Sequence, residues 1–184
     1  PLDSLAYYMI HNSYWDKNDN SKDLIDIVTK SSELYDYVFM LPTNVIPVED
    51  DGRRGLNPEY HELVQNTIKY LAKRTGYNLI EVPEDVVSLE DRTNWVKTYI
   101  INDKLKSILR KGILNIKFLK KDGSERLMSA SLERELIESV SPEFSESKST
   151  RKSNINTIYV IDTAINEWRS FNISSIIGIE FNGE

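Results

Sequence analysis

Residues 49–54 read Glu-Asp-Asp-Gly-Arg-Arg: three carboxylates, a glycine and two guanidinium groups within six positions. Opposite charges at this density are costly to hold together unless they face water, a metal or a phosphate. Two assignments follow. Either the run is a site, with Asp50, Asp51, Arg53 and Arg54 as its working groups, or it is a solvated turn at Asp51-Gly52 with the arginines paired to neighbouring acids. The apolar run from Tyr35 to Leu41, stopped by Pro42, precedes the loop and reads as a strand covered on both faces. A loop just past a strand end is where α/β proteins carry working groups, because the sheet fixes the backbone.

The elements around this loop alternate. Leu2, Leu5, Ala6, Met9 and Ile10 fall at helical spacing, as do Leu24, Ile25, Ile27 and Val28. Asn57-Pro58 opens a third helix, with Asn57 as cap and Pro58 in its first turn; Gly76 closes it. Tyr77–Val82 reads as a second strand. Ser88 and Asp91 open a helix running to about Leu109, with a break expected near Asn102. This rhythm is that of a layered α/β unit with a parallel sheet. Two strands cannot bury a core alone, so further strands are expected from sequence not shown or from a partner.

After Gly112 the period becomes two. Lys121-Asp122-Gly123-Ser124 supplies a hairpin turn, with strands on either side. Residues 132–155, rich in Ser, Glu and Lys, read as a long mobile insertion, with the acidic run Glu133–Glu138 as a solvated helix turn. Strands are expected over Thr157–Asp162, Glu167–Asn172 and Ser175–Phe181, which together suggest a small all-β barrel. The expected division is therefore residues 1–109, an α/β unit, and residues 110–184, a barrel.

Composition narrows the chemistry. The chain has 184 residues, no cysteine and two histidines, His11 and His61. Disulfides, thiolate metal sites and a multi-histidine zinc site are excluded, and no metal ligands are assigned. No apolar run reaches the roughly 18–20 residues of a membrane span, so no membrane partner is expected and the location expected is cytoplasmic. Residues 1–105 hold 11 basic and 18 acidic side chains, and residues 106–184 hold 12 and 11. Seven of those cations crowd into Lys106–Met128, against two acids. A basic stretch on an acidic chain attracts phosphate-bearing partners, although solvated strand faces also carry lysine. Lys120, Lys121, Arg126 and Arg169 are the phosphate-facing candidates. Trp168 alternates with Arg169 along a strand and is either a base-stacking platform or a core plug. The start at Pro1, inside a helical pattern, reads as a fragment or processed product of a longer protein.

Two resemblances extend this reading. Tyr35, Asp36, Val38, Phe39, Leu41, Pro42, Glu49, Asp50, Asp51, Gly52, Arg54, Tyr77, Leu79 and Ile80 resemble the C-terminal part of P-loop nucleoside kinases of the ribosylnicotinamide-kinase-like AAA group, over roughly residues 1–100. That resemblance implies an incomplete P-loop-type α/β unit, with ATP and Mg2+ as cofactors and a nucleoside-type small molecule as substrate. Arg54 or Arg53 would neutralise transferred charge, and Asp50 or Asp51 would orient the acceptor. The chain contains no G-x-x-x-x-G-K-[ST], so nothing in it cradles the phosphates. Kinase chemistry therefore requires a P-loop outside this sequence. The second half, through Gly112, Ile116, Phe118, Lys121–Arg126, Met128, Val160, Asp162 and Glu167–Phe171, resembles a phage-encoded Sm-like, SH3-type small barrel related by name to the WYL family. It implies contact with single-stranded nucleic acid or another ligand, in the host cytoplasm if phage-encoded. Two functions are thus expected in competition. One is part of an ATP-dependent nucleoside or nucleotide kinase with a binding barrel. The other is a non-catalytic module contacting nucleic acid or protein, with a homo-oligomer or a missing N-terminal segment as further expectations.

Overall fold

The computed structural model describes residues 2–15, 21–42, 57–142 and 154–181. It falls into two compact units, residues 1–92 and residues 93–184.

In the first unit, helices α1 (Leu2–Trp15), α2 (Ser21–Ser32) and α3 (Pro58–Thr75) pack with strands β1 (Val38–Met40) and β2 (Leu79–Glu81). The strands are parallel, with Val38 opposite Leu79 and Phe39 opposite Ile80, and α3 lies between them in sequence. Asn57 caps α3 by accepting the Glu59 N–H at 2.9 Å. Gly76 ends it at φ 80°, a left-handed conformation that costs glycine little. Leu2, Leu5, Ala6, Val28, Leu71, Ala72 and Tyr77 form the core, with Val38 and Leu79 packed against it. Both strands are three residues long, shorter than the apolar runs suggested. All of β1 is only half-buried, not covered on both faces as expected. A lone two-stranded parallel sheet offers too little area to bury its strands fully.

Helix α4 (Leu89–Leu109) opens on the expected Ser88 cap, whose hydroxyl oxygen accepts the Asp91 N–H at 3.0 Å. It runs unbroken through Asn102, whose amide donates to the Ile155 carbonyl at 2.7 Å. The side chain is committed to that tertiary bond, so it does not compete with the helix backbone. Leu105 and Leu109 enter the core of the second unit, which is why the helix from Thr93 onward groups with the strands that follow it.

The second unit continues with β3 (Leu114–Leu119), β4 (Glu125–Ser131), α5 (Arg134–Val140), β5 (Thr157–Asp162), β6 (Glu167–Asn172), a 310 turn at Ile173–Ser175 and β7 (Ile176–Phe181). Residues 134–140 form a helix where the acidic run Glu133–Glu138 suggested a helix turn, inside the stretch otherwise read as a mobile insertion; residues 143–153 lie outside the described residues. The strands form one antiparallel sheet in the order β6-β5-β4-β3-β7. Alternation supplies its inner face: Leu114, Ile116, Phe118, Met128, Ala130, Ile158, Val160 and Phe171 are all buried. The Phe118 and Phe171 rings lie 5.6 Å apart, although β3 and β6 are three strands apart. In a flat sheet that separation is about 14 Å. The sheet is therefore curled around its own core, as a small barrel requires.

The Leu109 carbonyl accepts the Leu132 N–H at 2.9 Å, so the helix end is both satisfied and anchored on the sheet. Among the described residues no helix is long and apolar enough to cross a membrane. Leu109→Ala is expected to lower the unfolding free energy by about 2–5 kcal/mol, against less than about 0.5 kcal/mol for Leu127→Ala on the exposed face. Chemical denaturation of the full chain checks both values.

Candidate nucleic-acid interface

Asp50, Asp51, Arg53 and Arg54 lie outside the described residues. Their flanks are described: β1 ends at Met40 and α3 starts at Pro58, so the run sits in the strand-to-helix connection of a parallel crossover.

The barrel candidates are all described. Lys120 and Lys121 are exposed at the β3–β4 turn. The turn closes through the Lys120 N–H to the Ser124 carbonyl at 2.9 Å, with Gly123 at φ 81°. Asp122 Oδ1 accepts both the Ser124 N–H (2.9 Å) and the Ser124 hydroxyl (2.6 Å). The hydroxyl bond, then the backbone bond, then the nearby Lys120 charge hold the Asp122 carboxyl below its ordinary pKa. Fixed by Asp122 and Ser124, the turn presents two lysines that make no ion pair with the described residues.

Arg126 is different. It lies opposite Phe118 in register, and its Nη2 meets Asp162 Oδ2 at 2.9 Å. Asp162 is only 4% exposed, and its other carboxylate oxygen accepts the Ala164 N–H at 3.2 Å. The same residue's carbonyl accepts the Asn166 N–H at 2.9 Å, closing the β5–β6 turn. Arg126 thus neutralises a buried carboxylate that shapes a turn. Arg169 Nη2 lies 2.6 Å from Glu167 Oε2. Trp168 is half-buried, packs against the core and donates its indole N–H to the Ser141 hydroxyl at 3.0 Å. Its ring serves packing more than it offers a face to solvent. Trp168 pairs with Ile161 and Arg169 with Val160, neighbours on β5, so the two side chains leave opposite faces of β6, and Arg169 is exposed.

Register also separates these residues. Trp168 is level with Ser131 across β5, at the far end of β4 from the turn that carries Lys120 and Lys121. Seven residues of β4 correspond to about 20 Å. Lys106, Arg110 and Lys111 precede β3 whereas Lys120 and Lys121 follow it, again about 20 Å apart along the strand. The basic run of the sequence is therefore divided by β3, with Lys117 and Arg126 on the strands themselves and paired to Glu125 and Asp162.

Tyr159 carries a signal that the motif reading missed. It is 58% exposed on β5, between the buried Ile158 and Val160, and pairs with Ser170 on β6. Alternation puts it on the face opposite Ile158 and Val160, and of that face's residues Tyr159 is exposed whereas Ile161 is buried. Among the described residues, no group of three or more histidines and carboxylates comes together to hold a metal.

A curled five-stranded antiparallel sheet, preceded by a helix and interrupted by a 310 turn before its last strand, defines a small SH3-type barrel. Residues 102–177 match the family WYL_2, described as an Sm-like SH3 beta-barrel fold. The match begins inside α4 and ends within β7, and it covers less than half of the chain. Comparison with curated proteins and with solved structures gives no match.

Two outcomes are expected. Arg126→Met should destabilise the chain by about 1–3 kcal/mol, because it strands the Asp162 charge, and adding Asp162→Asn should recover part of the loss on a denaturation curve. At Asp122 the folded pKa is depressed, so its contribution to the turn is present above the ordinary carboxylate pKa. It is lost as pH falls through the folded value. Titration of Asp122 by NMR should show its pKa rising towards the ordinary value in Ser124→Ala.

Proposed function

We propose that residues 93–184 are a binding module that contacts single-stranded nucleic acid as a polyanion, with the β3–β4 turn as its principal phosphate contact. The observation that carries this reading is the pair Lys120 and Lys121, exposed on a turn fixed by Asp122 and Ser124 and without ion-pair partners among the described residues. Cations already neutralised in the fold have less to offer a phosphate. That separates the lysines from Arg126 and Arg169, whose guanidinium groups already face carboxylates. The match to an Sm-like SH3 barrel supports a ligand- or nucleic-acid-binding role for this unit. Tyr159 adds an exposed aromatic face on the same sheet, of the kind on which bases stack.

The kinase reading has less support. A parallel strand–helix–strand crossover is common to many α/β folds and does not specify phosphoryl transfer. The chain carries no phosphate-cradling glycine loop.

Binding is tested by fluorescence anisotropy with a labelled single-stranded oligonucleotide across a salt series. Lys120→Ala/Lys121→Ala should weaken binding and reduce the log–log salt slope by about 1.4, the value for two lost phosphate contacts on a single strand. An unchanged slope, or no binding by the unaltered chain at low salt, would refute the assignment.

A further inference from the structure

The two flanks of the barrel sheet end in unlike strands. β6, at one flank, carries Glu167 and Arg169 in an ion pair, together with Ser170 and Asn172. Charged side chains of this kind protect an open edge from further pairing. β7, at the other flank, reads Ile-Ile-Gly-Ile-Glu-Phe and carries no lysine, arginine or proline. It pairs with β3 on one side and, among the described residues, with no strand on the other. Ile177 and Ile179 remain 47% and 44% exposed there. Ile177 is the extra residue of a register shift, and the ladder is regular from Gly178 to Phe181.

We infer that β7 is a self-association edge, pairing antiparallel with β7 of a second copy of this chain about a two-fold axis at Gly178. The sequence is self-complementary in that register. Ile177 of each copy falls opposite Ile179 of the other, so all four exposed isoleucines gain an apolar neighbour. Gly178 meets Gly178 at the axis, where no side chain obstructs the approach. Beyond the register shift Ile176 turns to its own core, so Glu180 meets no side chain of the second copy there, and the two Glu180 carboxylates stay about 13 Å apart along the strands. A register centred on Glu180 would set those like charges face to face. Pairing of β7 with β6 of another copy would lay the isoleucines against the Glu167–Arg169 pair and strip it of water. It would also propagate into rings or filaments, whereas the two-fold arrangement closes after two copies.

The test uses the full chain, which has no cysteine to interfere with introduced thiols. Sedimentation velocity at about 100 µM, where a micromolar dimer is almost fully formed, should give a species of twice the 21.3 kDa chain mass. Ile177→Lys/Ile179→Lys should give a monomer with unchanged circular dichroism. Gly178→Cys should form a disulfide-linked dimer on oxidation, since a Cβ there meets only Lys117 Cβ at an ordinary 3.6 Å. Ser170→Cys on β6 should not. A monomeric unaltered chain, a dimer that survives the double lysine change, or species larger than a dimer would overturn the inference. Should the double variant fail to fold, cross-linking decides: no dimer from Gly178→Cys, or an equal yield from Ser170→Cys, overturns it.

Discussion

The second unit depends on one constraint. Five short strands must curl until the inner faces of non-adjacent strands meet. The Phe118–Phe171 contact between β3 and β6 is where that closure is visible. It turns a sheet with one buried face into an enclosed core, which α4 completes with Leu105 and Leu109. The other assignments in this unit follow from it. The curl decides which residue of each alternating pair is inside, and so which cations are spent on structure and which face water.

That division separates cations committed to the fold from cations that face water. Arg126 lies on the strand face shared with Phe118, and the carboxylate it reaches is almost wholly buried. An unpaired carboxylate at such a place would be costly, so the arginine is held by folding and has little left for a ligand. Arg169 is paired with a carboxylate two residues away on its own strand. Lys120 and Lys121 lie beyond the strands on a turn whose geometry is set by Asp122, Gly123 and Ser124. Their charge therefore projects from a fixed support, with Lys120 also acting on the neighbouring Asp122 carboxylate. Similar reasoning distinguishes the two sheet edges, since β6 is guarded by charge and β7 is not.

Much of the fold was legible because its signals are local. Asn57, Pro58 and Gly76 bound α3 through capping and backbone preference, and both ends stand where those residue types place them. The Asp-Gly turn and the flanking period-two alternation locate β3 and β4, and β5 and β6 begin and end at the expected residues. Less legible were β1 and its burial, because an apolar run reports a preference for burial but not whether enough sheet exists to provide it. Helix α5 was legible as a single solvated turn over Glu133–Glu138, but not its docking on the core through Ile137, which is a tertiary contact. The continuity of α4 through Asn102 depends on a bond to Ile155, distant in sequence, which no local pattern encodes.

The sequence by itself determined the types of element, the turn that carries the lysines and the lack of a phosphate-cradling loop in this chain. It also determined that no thiolate chemistry is available. These are properties of neighbouring residues or of composition. Tertiary structure alone decided which charges remain available. Of the seven cations clustered in sequence, Lys106, Arg110 and Lys111 precede the six-residue strand β3 and Lys120 and Lys121 follow it, about 20 Å on, while Lys117 lies on β3 and Arg126 on β4. Trp168 becomes a packed ring bonded to Ser141, and Tyr159 becomes the exposed one. Whether a side chain serves the core or a ligand depends on what the fold brings against it, and those contacts join residues far apart in the chain.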